Sequence, residues 1–206
     1  MSTVHPRHCP AFAQSRTHEA LRTALQGSLM ARSLYLCAAR TLEDASLPVI
    51  AHAFRFTAAQ EKEHADILQG LIAVHGGEIV PPCPEAPDLP EAPLSLLHDA
   101  ARTEENRCHS QLPSCIRAAQ AEAYPRIAQA CLRIAETEQA HARRFTRYLE
   151  ALRSGQLFQA ESRVSWFCIA CRQLHTGCEP PEACPGCSGH RGHFIRTTGF
   201  PFSEEG

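Results

Sequence analysis

The sequence lacks the features that would place it in a membrane or on a strongly charged polymer. No stretch of the 206 residues approaches the roughly 20 consecutive apolar residues of a membrane-spanning helix. The segment 1–15 has no apolar run typical of a secretory signal peptide. The formal net charge is only −2, which gives no electrostatic reason to expect nucleic acid or an anionic membrane as partner. The length suffices for one full core and a small satellite domain.

Cysteine is abundant but lacks the regular spacing of a disulfide framework. Four of the eleven cysteines form two Cys-x-x-Cys pairs near the C-terminus, and the other seven are an odd, irregular set. Such a set favours a reducing cytoplasm. Cys37, Cys115 and Cys131 lie in helical patterns, where we expect them to pack as small apolar residues.

The two Cys-x-x-Cys pairs predict a metal site. They consist of Cys168 with Cys171, and Cys184 with Cys187. Each pair can form a tight turn in which two thiolates face one ion, and two turns complete a tetrahedral shell of four sulfurs. Such a shell suits iron or zinc. The domain is too small for a core of its own, so its folding should depend on the metal. Disulfides or free thiols are the alternatives.

The segment 166–206 resembles a rubredoxin. Trp166 lies two residues before the first cysteine, the second pair reads Cys-Pro-Gly-Cys, and Phe194 follows. The resemblance implies iron in the four-sulfur site, which would make the protein red. Rubredoxins usually carry glycine at the position of Arg172, because glycine tolerates a positive φ angle. Arg172 should therefore strain the first turn, and a plain zinc ribbon stays open as an alternative.

Four amphipathic helices are predicted before this domain. Apolar residues recur at spacings of three, four or seven, which is the periodicity of one helix face. The third helix should be kinked by Pro113, which cannot donate a backbone hydrogen bond. The predicted helices begin near Thr17, Pro48, Leu94 and Pro125.

The connections between the helices predict their arrangement. Residues 78–93 contain six prolines and favour an extended connection along the outside of a bundle. A long link after the second helix lets the second and third helices run in the same direction, while short links make the other neighbours antiparallel. The predicted units are a loose leader (1–16), a bundle (17–155), a connector (156–165) and the metal domain (166–206).

Five polar side chains fall on the apolar stripes of these helices. Glu61 and His64 share one face of the second helix, and Glu138 and His141 share one face of the fourth. Glu104 lies on the stripe of the third. Buried carboxylates without partners cost several kcal/mol or become protonated, so a cation should join them. Glu-x-x-His from two helices with glutamates from the other two is the di-iron arrangement of ferritin-like bundles. The alternative for a single pair is a chance pattern on the surface.

Because a helical bundle with these residues precedes a four-cysteine domain, the chain resembles the rubrerythrin family from about Leu21 to Phe194. The resemblance implies an all-α ferritin-like four-helix bundle followed by a rubredoxin-like domain. It implies reduction of hydrogen peroxide at the bundle iron, with electrons that a reductase delivers through the rubredoxin-type iron. It also implies a homodimer in which one subunit's rubredoxin domain approaches the other's bundle. The implied catalytic and metal-binding residues of the bundle are Glu61, His64, Glu104, Glu138 and His141.

Two positions depart from the family pattern. A glutamate ligand of the family's first helix falls on Ser28, and a second glutamate of its third helix falls on Arg107. Both serve the same iron in the family, so His64 is the one unshared ligand left to that position. Glu105 with His109, in a shifted register, is an alternative source of a ligand.

Charge then favours a single metal in the bundle. One divalent ion plus the guanidinium of Arg107 balances three carboxylates, and guanidinium pairs with carboxylate through parallel hydrogen bonds. We therefore expect Arg107 to lie on Glu61 or Glu104. The alternative is that Arg107 extends into solvent and two metals bind weakly.

Three functions stay open on the sequence. The first is a rubrerythrin-like peroxidase. The second is a degenerate homologue that binds metal or carries electrons without di-iron peroxidase activity. The third is a structural bundle with a zinc ribbon, which the intact ligand set argues against. Zinc is the alternative metal in either site.

Overall fold

The structure is a computed structural model that describes residues 12–77 and 89–197. It confirms an all-α bundle of four helical rods followed by a small three-stranded domain. The third rod contains a π-helical segment between two α-helices. The elements of the bundle are α1 (Arg16–Asp44), α2 (Pro48–Val74), α3 (Pro93–Asn106), the π segment (Arg107–Gln111), α4 (Leu112–Ala121) and α5 (Pro125–Arg153).

Local sequence explains where these helices begin. The backbone N–H of His18 donates to the side chain of Ser15, which caps α1 at a distance of 3.0 Å. Proline occupies the first turn of the other four α-helices, where its missing N–H leaves no hydrogen bond unmade. The three-residue link from α1 to α2 reverses the chain, so α1 packs along α2, while α3 and α4 pack along α5. Of the proline-rich connection, residues 78–88 lie outside the described residues.

The third rod differs from the predicted helix. The π segment ends two residues before Pro113, and the N–H of Leu112 donates to the carbonyl of Arg107, five residues earlier. This extra residue per turn rotates the following face, so Leu112 is buried where the stripe predicted Gln111. Leu94 was also predicted on the apolar face, but it is 40% exposed.

The core is divided into two apolar clusters by a polar layer. One cluster centres on Tyr35, Phe54 and Phe145, with ring centroids 4.5 to 5.6 Å apart. The other includes Leu25 and Leu68 at the opposite end of the bundle. Along each rod one group of buried polar residues lies between the parts belonging to the two clusters. The residues of this layer are Ser28, Glu61, His64, Glu104, Arg107, Glu138 and His141.

The prediction that three scattered cysteines pack as small apolar residues is confirmed at two of them. Cys115 and Cys131 are buried in the second cluster with their sulfurs 3.3 Å apart, as small apolar residues would be, but Cys37 is exposed. Of the predicted leader, residues 1–11 lie outside the described residues, while Phe12 is buried against the ring of Tyr124. None of the helices in the described ranges is long and apolar enough to cross a membrane.

The C-terminal domain is an antiparallel sheet with strand order β2-β1-β3. Its strands are β1 (Val164–Cys168), β2 (Leu174–Gly177) and β3 (Phe194–Arg196). Trp166 and Phe194 fill its small core, and the indole N–H donates to the carbonyl of Gly177 at 3.0 Å. The domain rests on the α1–α2 link, where Gly192 lies so close to the carbonyl of Ser46 that a Cβ would be 2.3 Å from it.

Candidate metal centres

The polar layer brings together residues from all four rods. Glu61, Glu104, Glu138 and His141 are completely buried, and His64 is 6% exposed. One ligand atom from each of the first four lies within 4.8 Å of the others. His64 stacks beside His141, with ring centroids 5.7 Å apart, but it faces a different part of the layer.

The four converging ligand atoms lack hydrogen-bond partners. Glu61 Oε1, Glu104 Oε2, Glu138 Oε2 and His141 Nδ1 make no hydrogen bond. The imidazole nitrogen lies 3.0 Å from Glu138 Oε2, 3.3 Å from Glu61 Oε1 and 3.8 Å from Glu104 Oε2. Buried polar atoms without partners call for an explanation, and a carboxylate–imidazole set is a ligand set for iron. The layer therefore fits one metal ion at this point.

The second oxygen of each carboxylate is held by the protein. Glu61 Oε2 accepts a hydrogen bond from Arg107 Nη2 at 3.1 Å. Glu138 Oε1 accepts from Arg107 Nε at 3.1 Å and also from Nη2. Glu104 Oε1 accepts from the hydroxyl of Tyr35. Each carboxylate is thus oriented by one oxygen and presents the other to the metal position.

A chain of hydrogen bonds sets the tautomer of His141. Its Nε2 lies 3.1 Å from Gln60 Oε1, which also accepts from Arg144 Nη1 at 3.4 Å. The same Arg144 nitrogen donates to the hydroxyl of Thr57 at 2.8 Å. Because Gln60 offers an acceptor, the imidazole proton belongs on Nε2, and the lone pair of Nδ1 is left for a metal.

Burial and charge shift the pKa values in the metal-free layer. Burial lowers the pKa of His141, but the carboxylates of Glu104, Glu138 and Glu61 raise it to about 10. Burial also lowers the pKa of His64, and Glu138 and Glu61 raise it to about 9. Burial raises the pKa of Glu104 to about 7. Binding of a metal must therefore displace protons from this site.

Arg107 lies inside the layer, in contact with all three carboxylates. The predicted contact with Glu61 is present, but Glu138 is the closer partner, and Glu104 Oε2 is 3.7 Å from Arg107 Nε. Its Nη2 also donates to Ser28 Oγ at 2.7 Å. Arg107 is 3% exposed, so the alternative in which it extends into solvent is wrong.

The alternative ligands in a shifted register are not in the layer. Glu105 and His109 are both exposed. The π segment begins at Arg107, and Glu104 keeps its place on the buried face immediately before it.

Gly27 leaves the space that the guanidinium fills. A Cβ at this position would lie 2.4 Å from Arg107 Nη1, whereas a Cβ at Gly70 in α2 would meet nothing within 4 Å. Glycine-to-alanine changes in helices usually stabilise by about 0.5–1 kcal/mol. We expect Gly70→Ala to raise the free energy of unfolding by that amount. Gly27→Ala should lower it by about 1–2 kcal/mol, because overpacking outweighs the helix preference.

Urea unfolding of the two alanine variants, followed by helical circular dichroism, measures this difference. An equal gain in stability for both variants would contradict the close fit of Arg107 against α1.

The second candidate centre is the four-cysteine cluster. The four sulfurs lie within 4.8 Å of one another, with Cys168 and Cys187 3.8 Å apart and Cys171 and Cys184 3.5 Å apart. The nine cysteines in the described ranges form no disulfide. Arg172 has a φ of +69°, so the first turn keeps the left-handed conformation and carries the predicted strain, about 1–2 kcal/mol for a residue with a Cβ.

Sequence reasoning did not assign roles to several residues that orient the ligands. Tyr35 is seven residues from Ser28 on the same stripe, and this spacing was a usable signal for its hydroxyl. Arg144 follows His141 by three residues and shares its face. Gln60 gave no signal, because a residue adjacent to a buried ligand is expected on the exposed side.

Comparisons with known proteins agree with this architecture. The rubrerythrin family model matches residues 19–149. A rubrerythrin of Nitratidesulfovibrio vulgaris is 32% identical over 180 residues, which cover 87% of this chain and 93% of that protein. A rubrerythrin of Clostridium perfringens is 31% identical over 189 residues, with coverages of 87% and 93%.

Solved structures share the fold. Fully reduced nigerythrin has a TM-score of 0.64 and 24% identity, covering 95% of this chain and 98% of that one. An open-pore ferritin from Archaeoglobus fulgidus has a TM-score of 0.60 and 19% identity, covering 70% and 88%. The family model spans more than half of the chain, both relatives are more than 30% identical to it, and both candidate sites carry donors that suit iron. This chain therefore belongs to the rubrerythrin family of iron-binding proteins.

Proposed function

We propose that the protein is a rubrerythrin-like oxidoreductase that reduces hydrogen peroxide to water. The observation that carries this proposal is the set of four unpartnered ligand atoms of Glu61, Glu104, Glu138 and His141 around one point. Iron bound there and in the four-cysteine site would supply electrons, and one peroxide needs two electrons and two protons to become two waters. The electron donor to the four-cysteine site would be a reductase, and the cytoplasm is the proposed compartment, where thiols stay reduced.

A surface cleft gives peroxide a route to the layer. The cleft has a volume of about 440 Å³ and reaches Arg107, with Gly27 and Gln111 also in its lining. Arg107 Nη1 and Gln111 Oε1 are buried and make no hydrogen bond. Both residues line the cleft, and these atoms offer a donor and an acceptor beneath its surface. Peroxide donates and accepts hydrogen bonds, so the pair is suited to binding and orienting it.

The position of the four-cysteine domain supports a homodimer. Gly192 of that domain contacts the α1–α2 link at Ser46. Glu61 is thirteen residues beyond the start of α2 at Pro48, which is about 20 Å along a helix. Transfer of electrons within one chain would have to cover such a distance. In a dimer the partner's four-cysteine domain can approach the layer more closely. A solution mass of one chain would contradict this arrangement.

A second function is favoured by Ser28 and Arg107. Because these residues stand where the family resemblance places glutamate ligands, the protein is alternatively a homologue that binds metal or carries electrons without di-iron peroxidase activity. A peroxide assay distinguishes the two functions.

The test uses the colour of the four-cysteine iron as its readout. The full-length protein is reduced without oxygen and mixed with hydrogen peroxide, and the return of thiolate-to-iron absorbance is followed. We expect the natural sequence to lose two electrons per peroxide. In His141→Gln the absorbance should return at least tenfold more slowly. His98→Gln is the matched control, because His98 is exposed on α3. Equal rates in the natural sequence and His141→Gln would remove the peroxidase proposal and leave the alternative.

A further inference from the structure

We propose that the guanidinium of Arg107 occupies the position of a second metal ion, so that the bundle holds one metal and uses a side chain as its second cation. The inference concerns metal occupancy, and it stands whether or not the protein reduces peroxide. It rests on how the carboxylate oxygens are divided, on where His64 lies, and on the charge of the layer.

The carboxylate oxygens are divided between two sides. Glu61 Oε1 and Glu138 Oε2 face the point where four ligand atoms converge. Their other oxygens, Glu61 Oε2 and Glu138 Oε1, both contact Arg107 Nη2. A carboxylate that bridges two metals needs both oxygens. The guanidinium thus occupies the oxygens through which these two glutamates would reach a second ion.

His64 lies on the side of the layer that Arg107 occupies. Its Nδ1 lies 3.3 Å from Glu138 Oε1 and 3.7 Å from Glu61 Oε2, the two oxygens that Arg107 contacts. This nitrogen is buried and makes no hydrogen bond. A second metal held by His64, Glu61 and Glu138 would have to stand where the guanidinium is. Ser28 completes this side as a neutral hydrogen-bond acceptor for Nη2.

The charge of the layer agrees with this occupancy. With both imidazoles neutral, three ionised carboxylates carry −3, and Arg107 with one divalent metal carries +3. A second divalent ion beside Arg107 would leave an excess of two positive charges in a layer that is almost completely buried. Arg107 is also held in place, because Nη2 contacts three acceptors and Nη1 fills the space over Gly27.

The experiment counts iron in the full-length protein. The protein is loaded with iron(II) without oxygen, and elemental analysis gives total iron per chain. The absorbance of the four-cysteine iron gives the part that belongs to the tail. We expect one bundle iron per chain in the natural sequence and two in the double variant Ser28→Glu with Arg107→Glu. Arg102→Glu is the control for charge, since it makes the same charge change as Arg107→Glu at an exposed position of the same rod, and should retain one.

A second measurement keeps the inference testable if the double variant does not fold. X-ray absorption at the iron edge of the natural sequence should show no metal neighbour at the roughly 3.5–4 Å typical of two-metal sites. Two bundle irons in the natural sequence, no bundle iron at all, or a folded double variant that still binds one iron would each overturn the inference.

Discussion

Replacing Arg107 with methionine is expected to lower the free energy of unfolding of the metal-free protein by about 3–5 kcal/mol. The change removes the guanidinium that contacts Glu61, Glu104 and Glu138 and leaves three buried carboxylates without a fixed cation between them. Methionine retains an aliphatic side chain, so most of the loss is electrostatic rather than a cavity. Urea unfolding in the presence of a chelator, followed by helical circular dichroism, measures it.

Arg102→Met is the control for this stability measurement. Arg102 is exposed on the same rod, and surface substitutions of this kind usually change stability by less than about 0.5 kcal/mol. A loss of under about 1 kcal/mol in Arg107→Met would show that protons on the two imidazoles balance the layer without the guanidinium. That result would count against a structural role for this ion-pair network.

Replacing Cys184 with serine is expected to remove the tail iron and unfold the three-stranded domain while the bundle stays folded. The buried core of this domain consists of Trp166, Cys168, Cys184 and Phe194, and two of these four are metal ligands. So small a core depends on its metal, which contributes about 10–16 kcal/mol in comparable zinc peptides. Two readouts should change together: the thiolate-to-iron absorbance should disappear, and the fluorescence of Trp166 should shift to that of an exposed indole.

Trp166 makes this test specific because it is the single tryptophan of the sequence and is completely buried. Cys178→Ser is the matched control, since Cys178 belongs to the same domain but is exposed and outside the four-sulfur cluster. It should keep both the absorbance and the buried fluorescence. A Cys184→Ser protein that keeps a buried Trp166 would show that the domain folds without its metal.

The polar layer shows how a bundle accommodates so many buried charges. Apolar clusters fill both ends, and the charged residues lie between them in one continuous group. Each carboxylate has one oxygen bound by Arg107 or Tyr35 and one that faces the metal position. Because the ligands are oriented before a metal arrives, little reorganisation is needed on binding.

The spacing of residues along the chain allowed part of this structure to be predicted from the sequence. The two Cys-x-x-Cys pairs predicted a four-sulfur cluster because such pairs form local turns whose geometry depends on few distant contacts. The stripes of α1, α2 and α5 placed Ser28, Glu61 and Glu138 on buried faces because a regular helix repeats every 3.6 residues. The prediction was less accurate for the third rod, because a π segment changes that repeat and displaced Gln111 from the predicted face.

The sequence by itself determined the family, the four-helix order, the metal-binding domain and the substitution of two expected ligands by Ser28 and Arg107. Only the tertiary structure determined where the side chain of Arg107 lies. Its side chain can rotate toward solvent or toward any of three carboxylates, and the choice depends on space beside Gly27 and on oxygens carried by three other rods. These contacts join residues far apart in the chain, so no periodicity within one helix specifies them. Packing between helices therefore determined that a guanidinium lies among the carboxylates of this bundle.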